Sequence, residues 1–317
     1  MGQVSPASIH ALYQTYLFNF DNSYSATPVW YTQVATVIPS STEENVYPFM
    51  EPLPGLREWV GDRIYHGLAA RAYTLKNRLF EDSVELDVDK VEDNKEGMFS
   101  NFVIPQLGEQ SAKWPDDQIR DAMQNGDSSS NVRYQAWDGL TFFNDAHPVS
   151  LDNSSLGTYD NLRASTALNA ANIAAVRTAM AAVKKPDGRP GGVKLTDIFV
   201  PPALMHTAAQ LANAEFTAPT AAFGINAANV STTNTLKGTF NYHVIDELAG
   251  EDTVWYAMDL SKRIKPFIWQ LRMAPRLTQL TSDRDEKVFR ENKLQYGVKA
   301  RGAAGYYMPF LCFQCTA

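Results

Sequence analysis

Residues 77–126 read NRLFEDSVELDVDKVEDNKEGMFSNFVIPQLGEQSAKWPDDQIRDAMQNG, a strand that feeds a long helix. Val84, Leu86 and Val88 alternate with Glu85, Asp87 and Asp89, the period-two pattern of a strand with one buried and one wet face. The alternation breaks at Glu92-Asp93-Asn94. Short acidic and amide side chains there can accept from the first free N–H groups of a helix and suit its positive end. Met98, Phe99, Phe102, Val103 and Leu107 then recur at helical spacing. Pro105 is expected to bend this helix, and Pro115, followed by Asp116 and Asp117, marks a turn where it restarts. Ile119, Ala122 and Met123 carry the apolar stripe to Gly126, which is expected to end the helix in a left-handed conformation. A kinked helix of about thirty residues would be roughly 45 Å long, the proportions of a structural spine rather than of a compact catalytic core.

Composition narrows the classes. The chain has 317 residues, 44% hydrophobic and 20% charged, enough to bury a sizeable core and too apolar for wholesale disorder. No apolar run approaches the roughly 20 residues that span a bilayer. The first basic residue is Arg57, so a basic leader is absent, and Pro6 occupies the position that a myristoylation signal gives to Ser or Thr. The expectation is a soluble protein of a cytoplasm with no membrane partner. Net charge is −7. There is no basic tail, and the notable basic cluster is Lys262, Arg263 and Lys265 with Arg272 and Arg276 beyond. Tight nucleic-acid binding needs several cations set against phosphates, so neither sequence-independent nor sequence-specific nucleic-acid binding is expected.

Along the chain, the N-terminal fifty residues scatter Tyr13, Tyr16, Phe18, Phe20, Tyr24, Trp30 and Tyr31 among Ser, Thr, Asn and Pro without a sustained period after residue 20. Such a segment is too apolar for a solvated tail and too irregular for its own core. It is expected to act as an arm wrapping another surface, on its own subunit or a neighbour. Pro48, Pro52 and Pro54 mark its boundary. Residues 60–91 read as a projecting, partly two-stranded loop descending into the spine. A helix is expected over Thr166–Lys185 with Ile173, Val176, Met180 and Val183 on one stripe, then a buried strand at Asp197–Val200 and a helix opened by Pro201-Pro202. Residues 215–238 form a Thr/Ala/Asn-rich loop. The remainder is strand-rich: Phe240–Val244, Val254–Met258, Ile264–Leu271, Val288–Tyr296, Val298–Arg301 and a closing segment Tyr306–Phe313.

Two constellations could carry chemistry. Asp138, Asp145 and His147 could be drawn as metal ligands, or as a base with an orienting acid, in a metal-dependent hydrolase. Asp138-Gly139 is a common turn pair, Pro148 holds His147 extended, and no further ligand or nucleophile is near. Cys312 and Cys315 form a lone C-x-x-C where a zinc site would show a second pair. They read as two partly buried thiols in a terminal strand. No phosphate-binding glycine loop, G-x-S-x-G or H-E-x-x-H occurs. The expected catalytic, cofactor-binding and metal residues are therefore none, and no cofactor is expected.

Arg57-Glu58-Trp59 with Arg63, Asn77, Phe80-Glu81, Val84, Val91-Glu92-Asp93, Gly97 and Leu107-Gly108 resemble the Mu-like phage major head subunit family. So do Pro115-Asp116, Asp138-Gly139 with Phe142-Phe143 and His147-Pro148, Val200-Pro201-Pro202, and Val288-Phe289 with Tyr296-Gly297-Val298 and Arg301. The matches keep their order from residue 57 to the C-terminus. The resemblance implies an α+β chain with the Hong Kong 97-like major capsid fold of tailed phages. Its parts would be an N-terminal arm at 1–56, an extended loop at 57–91, a peripheral domain with the spine helix at 92–150, an axial domain at 151–245, and strands returning to both domains at 246–317. It implies a non-enzymatic head protein of the virion, held in the host cytoplasm before assembly. Copies would form the pentamers and hexamers of an icosahedral shell around double-stranded DNA, with scaffold, portal and decoration proteins as the further partners such shells admit. The missing basic tail suits a shell filled after assembly rather than condensed on its genome. Two other readings stay open at this point, the hydrolase and a protein-filled nanocompartment. A last expectation concerns Glu85, Asp87 and Asp89: three like charges on one strand face should seek cations of a neighbouring subunit, with Lys262–Lys265 as candidates.

Overall fold

Two larger sheets and a pair of long helices carry the fold. The structure, a computed structural model, describes residues 6–49, 58, 60, 71–92, 97, 99–151, 153–217, 232–281 and 285–317. Helices α1 (Pro6–Ala26) and α2 (Tyr31–Val34) lead into strands β1 (Ala35–Pro39), β2 (Glu44–Phe49), β3 (Arg71–Lys76) and β4 (Arg78–Asp87). The short α3 (Val88–Glu92) precedes a π-helical turn (Phe99–Val103) that opens the spine helix α4 (Ile104–Gln124). Beyond it come β5 (His147–Pro148), β6 (Thr158–Tyr159), β7 (Leu162–Arg163), α5 (Ala170–Ala182), β8 (Asp197–Val200) and α6 (Met205–Asn213). The chain finishes through β9 (Phe216–Thr217), β10 (Thr232–Thr233), β11 (Asn241–Val244), β12 (Val254–Met258), β13 (Phe267–Leu280), α7 (Glu286–Glu291), β14 (Lys293–Tyr306) and β15 (Cys312–Thr316).

The expected strand-to-spine transition is present, with shifted edges. β4 stops at Asp87, so Val88 and Asp89 belong to α3, and the proposed helix start at Asp93-Asn94 lies outside the described residues. The spine buries Ile104, Leu107, Gly108, Ala112, Pro115, Asp116, Ile119, Ala122 and Met123, an i, i+3/i+4 stripe that faces the core. Pro105 has no N–H to return to Asn101, and the wider π turn sits there. The helix runs on through Pro115 without restarting. With its π turn it spans about 39 Å. Gly126 is not left-handed. A Cβ on it would lie 2.6 Å from the Phe143 ring, so close packing and not a positive φ requires glycine there.

The first sheet has the order β1-β13-β14-β4, with β13 and β14 as a long antiparallel hairpin and β1 parallel at one edge. Its ladder slips between Leu271 and Arg276, beside Pro275, which has no N–H to give. The expected strand Ile264–Leu271 thus starts later, at Phe267, and runs far longer. Val288–Tyr296 is not a strand. Glu286–Glu291 is a helical turn closed by Asn292 at φ 54°, and the strand begins only at Lys293. The second sheet has the order β11-β8-β12-β15-β7 and carries α5 and α6. Helix α5 is shorter than Thr166–Lys185 because the Asn169 side chain caps it by accepting from the Asn172 N–H, 2.9 Å, and because Val183 leaves it to bond Gly191. Ile173, Val176, Met180 and Val183 are buried as expected, under the all-buried β8.

One apolar cluster joins the sheets. Ile119, Ala122 and Met123 of the spine meet Phe267, Trp269 and Tyr306 of the first sheet and Tyr256, Met258 and Cys312 of the second. A second cluster lies under the N-terminal helix, where Tyr16 and Phe20 pack on Phe99, Ile104 and Leu107 and on Leu294 and Tyr296. The N-terminal segment therefore packs on its own subunit. Residues 6–26 are helical along the spine, β1 completes the first sheet, and β2 pairs antiparallel with β3 in a two-stranded ribbon.

Candidate functional site: the buried pair and the exposed faces

The Asp138–His147 region folds into a tie. Gly139 takes φ 84°, and Asp138 Oδ1 accepts the Leu140 N–H, 3.1 Å, closing the turn the sequence suggests. His147 Nδ1 lies 2.6 Å from Asp138 Oδ2, and Nε2 lies 3.0 Å from the Phe142 carbonyl, which can only accept. Both side chains are buried. With Nε2 carrying a proton and Nδ1 facing a carboxylate, both ring nitrogens are engaged, so neither offers a lone pair to a metal or a substrate. Asp145 is exposed and stands apart from the pair. Asn161 extends the tie: its side-chain nitrogen donates to the carbonyls of Phe142, Pro309 and Cys312, and its Oδ1 accepts the Asn144 N–H. The stretch that could be drawn as a hydrolase centre is a clasp between the 138–161 segment and the last strand. Cys312 and Cys315 are both buried and free, and burial pushes both thiols well above their ordinary range, the condition of inert thiols.

A second clasp holds the N-terminal segment. Asp116, buried on the spine, accepts the backbone N–H groups of Trp30 and Tyr31 on the same oxygen, at 3.1 and 2.7 Å. Burial pushes its pKa up to about 6 against the two N–H bonds, with Glu247 and Asp117 adding to the rise. At the base of the ribbon, Gln270 accepts from the Tyr47 hydroxyl, 2.6 Å, and donates to Leu75 O, 3.1 Å, and to Asn77 Oδ1, 2.8 Å. Asn77 in turn donates to Ser40 Oγ and Thr42 O.

Glu85 and Asp87 of β4 and Asp89 of α3 have partners within the chain. Glu85 bonds Lys293 at 3.0 Å and Gln295 at 2.7 Å across the β4–β14 ladder, Asp87 pairs with Lys90 at 2.9 Å, and Asp89 accepts from Asn292 at 2.8 Å. The repulsion expected on that face is relieved within the chain.

The exposed faces are of another kind. Phe18 of α1 and Phe102 of the spine's π turn are 70% and 69% exposed, and Val46 of the ribbon and Leu79 of β4 are also open. A cleft of about 370 Å³ lies at one end of the second sheet, with Val183, Val193, Met308 and Leu311 in its floor and Lys184, Lys185, Lys262 and Arg263 around it. Among the described residues no three His, Cys, Asp or Glu side chains converge as a metal site, and no helix is long and apolar enough to cross a membrane.

Comparison with known proteins decides the family. A sequence model of the Mu-like prophage major head subunit gpT matches residues 9–167, 161–248 and 235–317. The chain belongs to the Mu-like prophage major head subunit family. The Mu-like prophage FluMu major head subunit of Haemophilus influenzae is 26% identical over 308 residues, covering 96% of this chain and 72% of that protein. The major capsid protein of Escherichia phage Mu is 25% identical over 303 residues with the same coverage. The procapsid subunit of bacteriophage JBD30 superposes with a TM-score of 0.60 at 25% identity, over 99% of this chain and 76% of that one. The virus-like particle from Pyrococcus furiosus shares the fold alone, with a TM-score of 0.51 at 10% identity, over 95% and 98% of the two chains.

This head subunit has the Hong Kong 97-like capsid fold, and its work is structural: it is the major capsid protein that forms the phage head shell, a component of the virion that assembles with copies of itself. Family membership sets the hydrolase reading aside. In a head subunit the residues that matter position the spine, the ribbon and the outer faces. Asp116 and Gln270 are such residues, and the sequence pattern singles out neither for that role; of the cleft's cations it singles out Lys262 and Arg263, as candidates for a contact with the acids after Val84. A Pro-Asp-Asp run inside a helix and a polar Gln270 in the otherwise apolar run Phe267–Leu271 were the available signals for these two.

Proposed function

We propose that this head subunit closes into an icosahedral shell of pentamers and hexamers around the double-stranded DNA of a tailed phage or prophage, after its subunits gather in the host cytoplasm. The observation that carries the reading is the likeness to a procapsid subunit over nearly the whole chain, at an identity matched by the phage Mu capsid protein. In this reading residues 1–56 are the arm, 57–91 the extended loop, 92–150 the peripheral domain with the spine, 151–245 the axial domain and 246–317 the returning strands. The β2–β3 pairing supports drawing residues 44–49 into the stem of the extended loop. The JBD30 capsid is decorated with trimers of a minor capsid protein, which supports a decoration partner here, with scaffold and portal proteins as partners of the same assembly. Electron microscopy of the purified protein tests the reading. Closed shells, tubes or rings are expected, and a discrete small oligomer at every concentration and salt would overturn it.

A further inference from the structure

The second sheet carries opposite charges at its two ends. β12 antiparallel to both β8 and β15 fixes which residues share an end: Val254 lies opposite Thr316, and Met258 opposite Asp197 and Cys312. At the Val254 end the turn 246–252 presents Asp246, Glu251 and Asp252, with exposed Ala249 and Gly250 at its tip and Gly250 at φ 98°. Its fourth acid, Glu247, is held by Lys113 of the spine at 3.6 Å. At the Met258 end lies the cleft ringed by Lys184, Lys185, Lys262 and Arg263 over an apolar floor. Three acids stand at this end: Asp197 is held by His243 Nε2 at 2.9 Å and by the Asn241 side-chain N–H, Asp259 is buried and saturated by the Lys194 N–H, the Ser261 N–H and the Ser261 hydroxyl, and Asp187 pairs with Arg189. Among the described residues, none of the four cations and none of Asp246, Glu251 and Asp252 has an ion-pair partner. A strand of five residues separates the ends by roughly 15 Å.

We infer that the acidic turn 246–252 of one subunit docks in the basic cleft of the next, so that copies join head to tail around a ring. The contact is heterologous: each subunit gives its turn to one neighbour and its cleft to the other, which closes a ring when the rotation per subunit allows. The small tip Ala249-Gly250 suits an apolar-floored cleft, and the flanking acids suit its rim. Such rim pairs set orientation and encounter more than they add affinity. The inference rests on the shell reading, and it replaces the acidic face of β4 as the partner of Lys262 and Arg263.

Engineered disulfides test it in assembled particles. Arg263 and Asp252 are both exposed, and Cys312 and Cys315 are buried, so new thiols at the two exposed positions are the reactive ones. The double variant Arg263→Cys/Asp252→Cys, mildly oxidised as particles, is expected to give a denaturing-gel ladder up to pentamers and hexamers, while each single variant stays monomeric. Dimers from a single variant, or no ladder from the double variant in well-formed particles, would overturn the inference and leave the shell reading intact. If the parent forms no particles, the shell reading itself fails. As a second arm, Lys184→Glu/Arg263→Glu and Glu251→Lys/Asp252→Lys should each cut particle yield at least tenfold at low salt, and combining them should recover most of it. Normal yield from the first variant with loss of packaged nucleic acid would instead assign the cleft to DNA and overturn the proposal.

Discussion

Asp116 of the spine helix accepts the backbone N–H of Tyr31 at 2.7 Å, and through that bond the N-terminal segment is fixed to the helix on which the core is built. The same oxygen serves the N–H of Trp30, so Asp116→Asn can keep both bonds while removing the charge. Burial sets the folded pKa at about 6, above the ordinary 3.8. The folded chain therefore holds this proton more tightly than the unfolded chain. Its stabilising contribution is complete below the ordinary Asp range and is lost as pH rises through about 6. The Asn variant is expected to melt above the parent at about pH 8 and level with it near pH 4, the gap closing as pH falls from about 6 to about 4. Thermal melts of both proteins across that range check it, and a pH-independent gap would show that the carboxyl is not shifted.

Asp138 and His147 lead to an asymmetric pair of mutants. His147→Gln can still donate to Phe142 O but leaves the Asp138 carboxylate buried without its partner, and breaking a buried pair from one side costs about 3–5 kcal/mol. Asp138→Asn leaves a neutral histidine that can accept from the new amide, so its cost should fall to about 1 kcal/mol. Exposed Asp145→Asn should change nothing measurable. Denaturant unfolding separates the three, and a chelator should leave the parent's midpoint unmoved. A midpoint that falls with chelator would revive the metal reading of the 138–147 stretch.

Gly108 lets helix α1 seat on the spine. A Cβ there would lie 2.7 Å from the Phe20 carbonyl oxygen, a backbone atom that can move only with its helix. Gly108→Ala is expected to loosen α1 at a cost of about 1–3 kcal/mol. Limited proteolysis of unassembled subunits reads the effect directly: residues 10–26 should resist cleavage in the parent and become labile in the variant. Equal resistance in both would mean that α1 accommodates the added methyl.

The sequence shows some of these relationships and conceals others, for physical reasons. β4 and the spine are legible because their periods, two and 3.6, are written in neighbouring residues. Tyr13, Tyr16, Phe20 and Tyr24 also fall three or four apart, on the face of α1 that meets the spine. Exposed Phe18 and the Ser/Asn/Thr content obscure that stripe, and the segment reads as an irregular arm. Val288-Phe289 and Leu294–Tyr296 suggest one strand, yet Asp285 and Glu286 begin a helical turn there and Asn292 ends it. The partner of Glu85 is Lys293, more than 200 residues away, so local charge counting sees repulsion where the fold makes a cross-strand pair. The cleft is hidden for the same reason: Lys184 and Lys185 meet Lys262 and Arg263 only after Val183 turns back to Gly191 and β8 pairs with β12.

The ribbon's attachment yields the last prediction. Gln270 is fully buried in an otherwise apolar stretch of β13 and joins Tyr47 of β2 to Leu75 of β3 and to Asn77. Nothing else in that stretch of strand can serve the ribbon's polar groups, so Gln270→Leu would leave the Tyr47 hydroxyl, the Leu75 carbonyl and the Asn77 amide short of a partner. Each buried group left unsatisfied costs about 1–3 kcal/mol. The ribbon can escape that cost by lifting off the sheet to meet water, at the expense of the packing of Leu75, Tyr47 and Tyr73 on Ile268 and Ala303 and of the bond from the Tyr306 N–H to the Tyr73 hydroxyl. The expected outcome is local: faster amide exchange over residues 44–49 and 71–77, with exchange in the spine helix unchanged. In assembly the same variant should give particles of mixed size, because a ribbon free at its base no longer presents one angle to its neighbours. Tyr47→Phe removes only one of the bonds and should show a fraction of the effect. If Gln270→Leu exchanges uniformly faster across both sheets, the residue supports the whole core and does not act as an anchor for the ribbon.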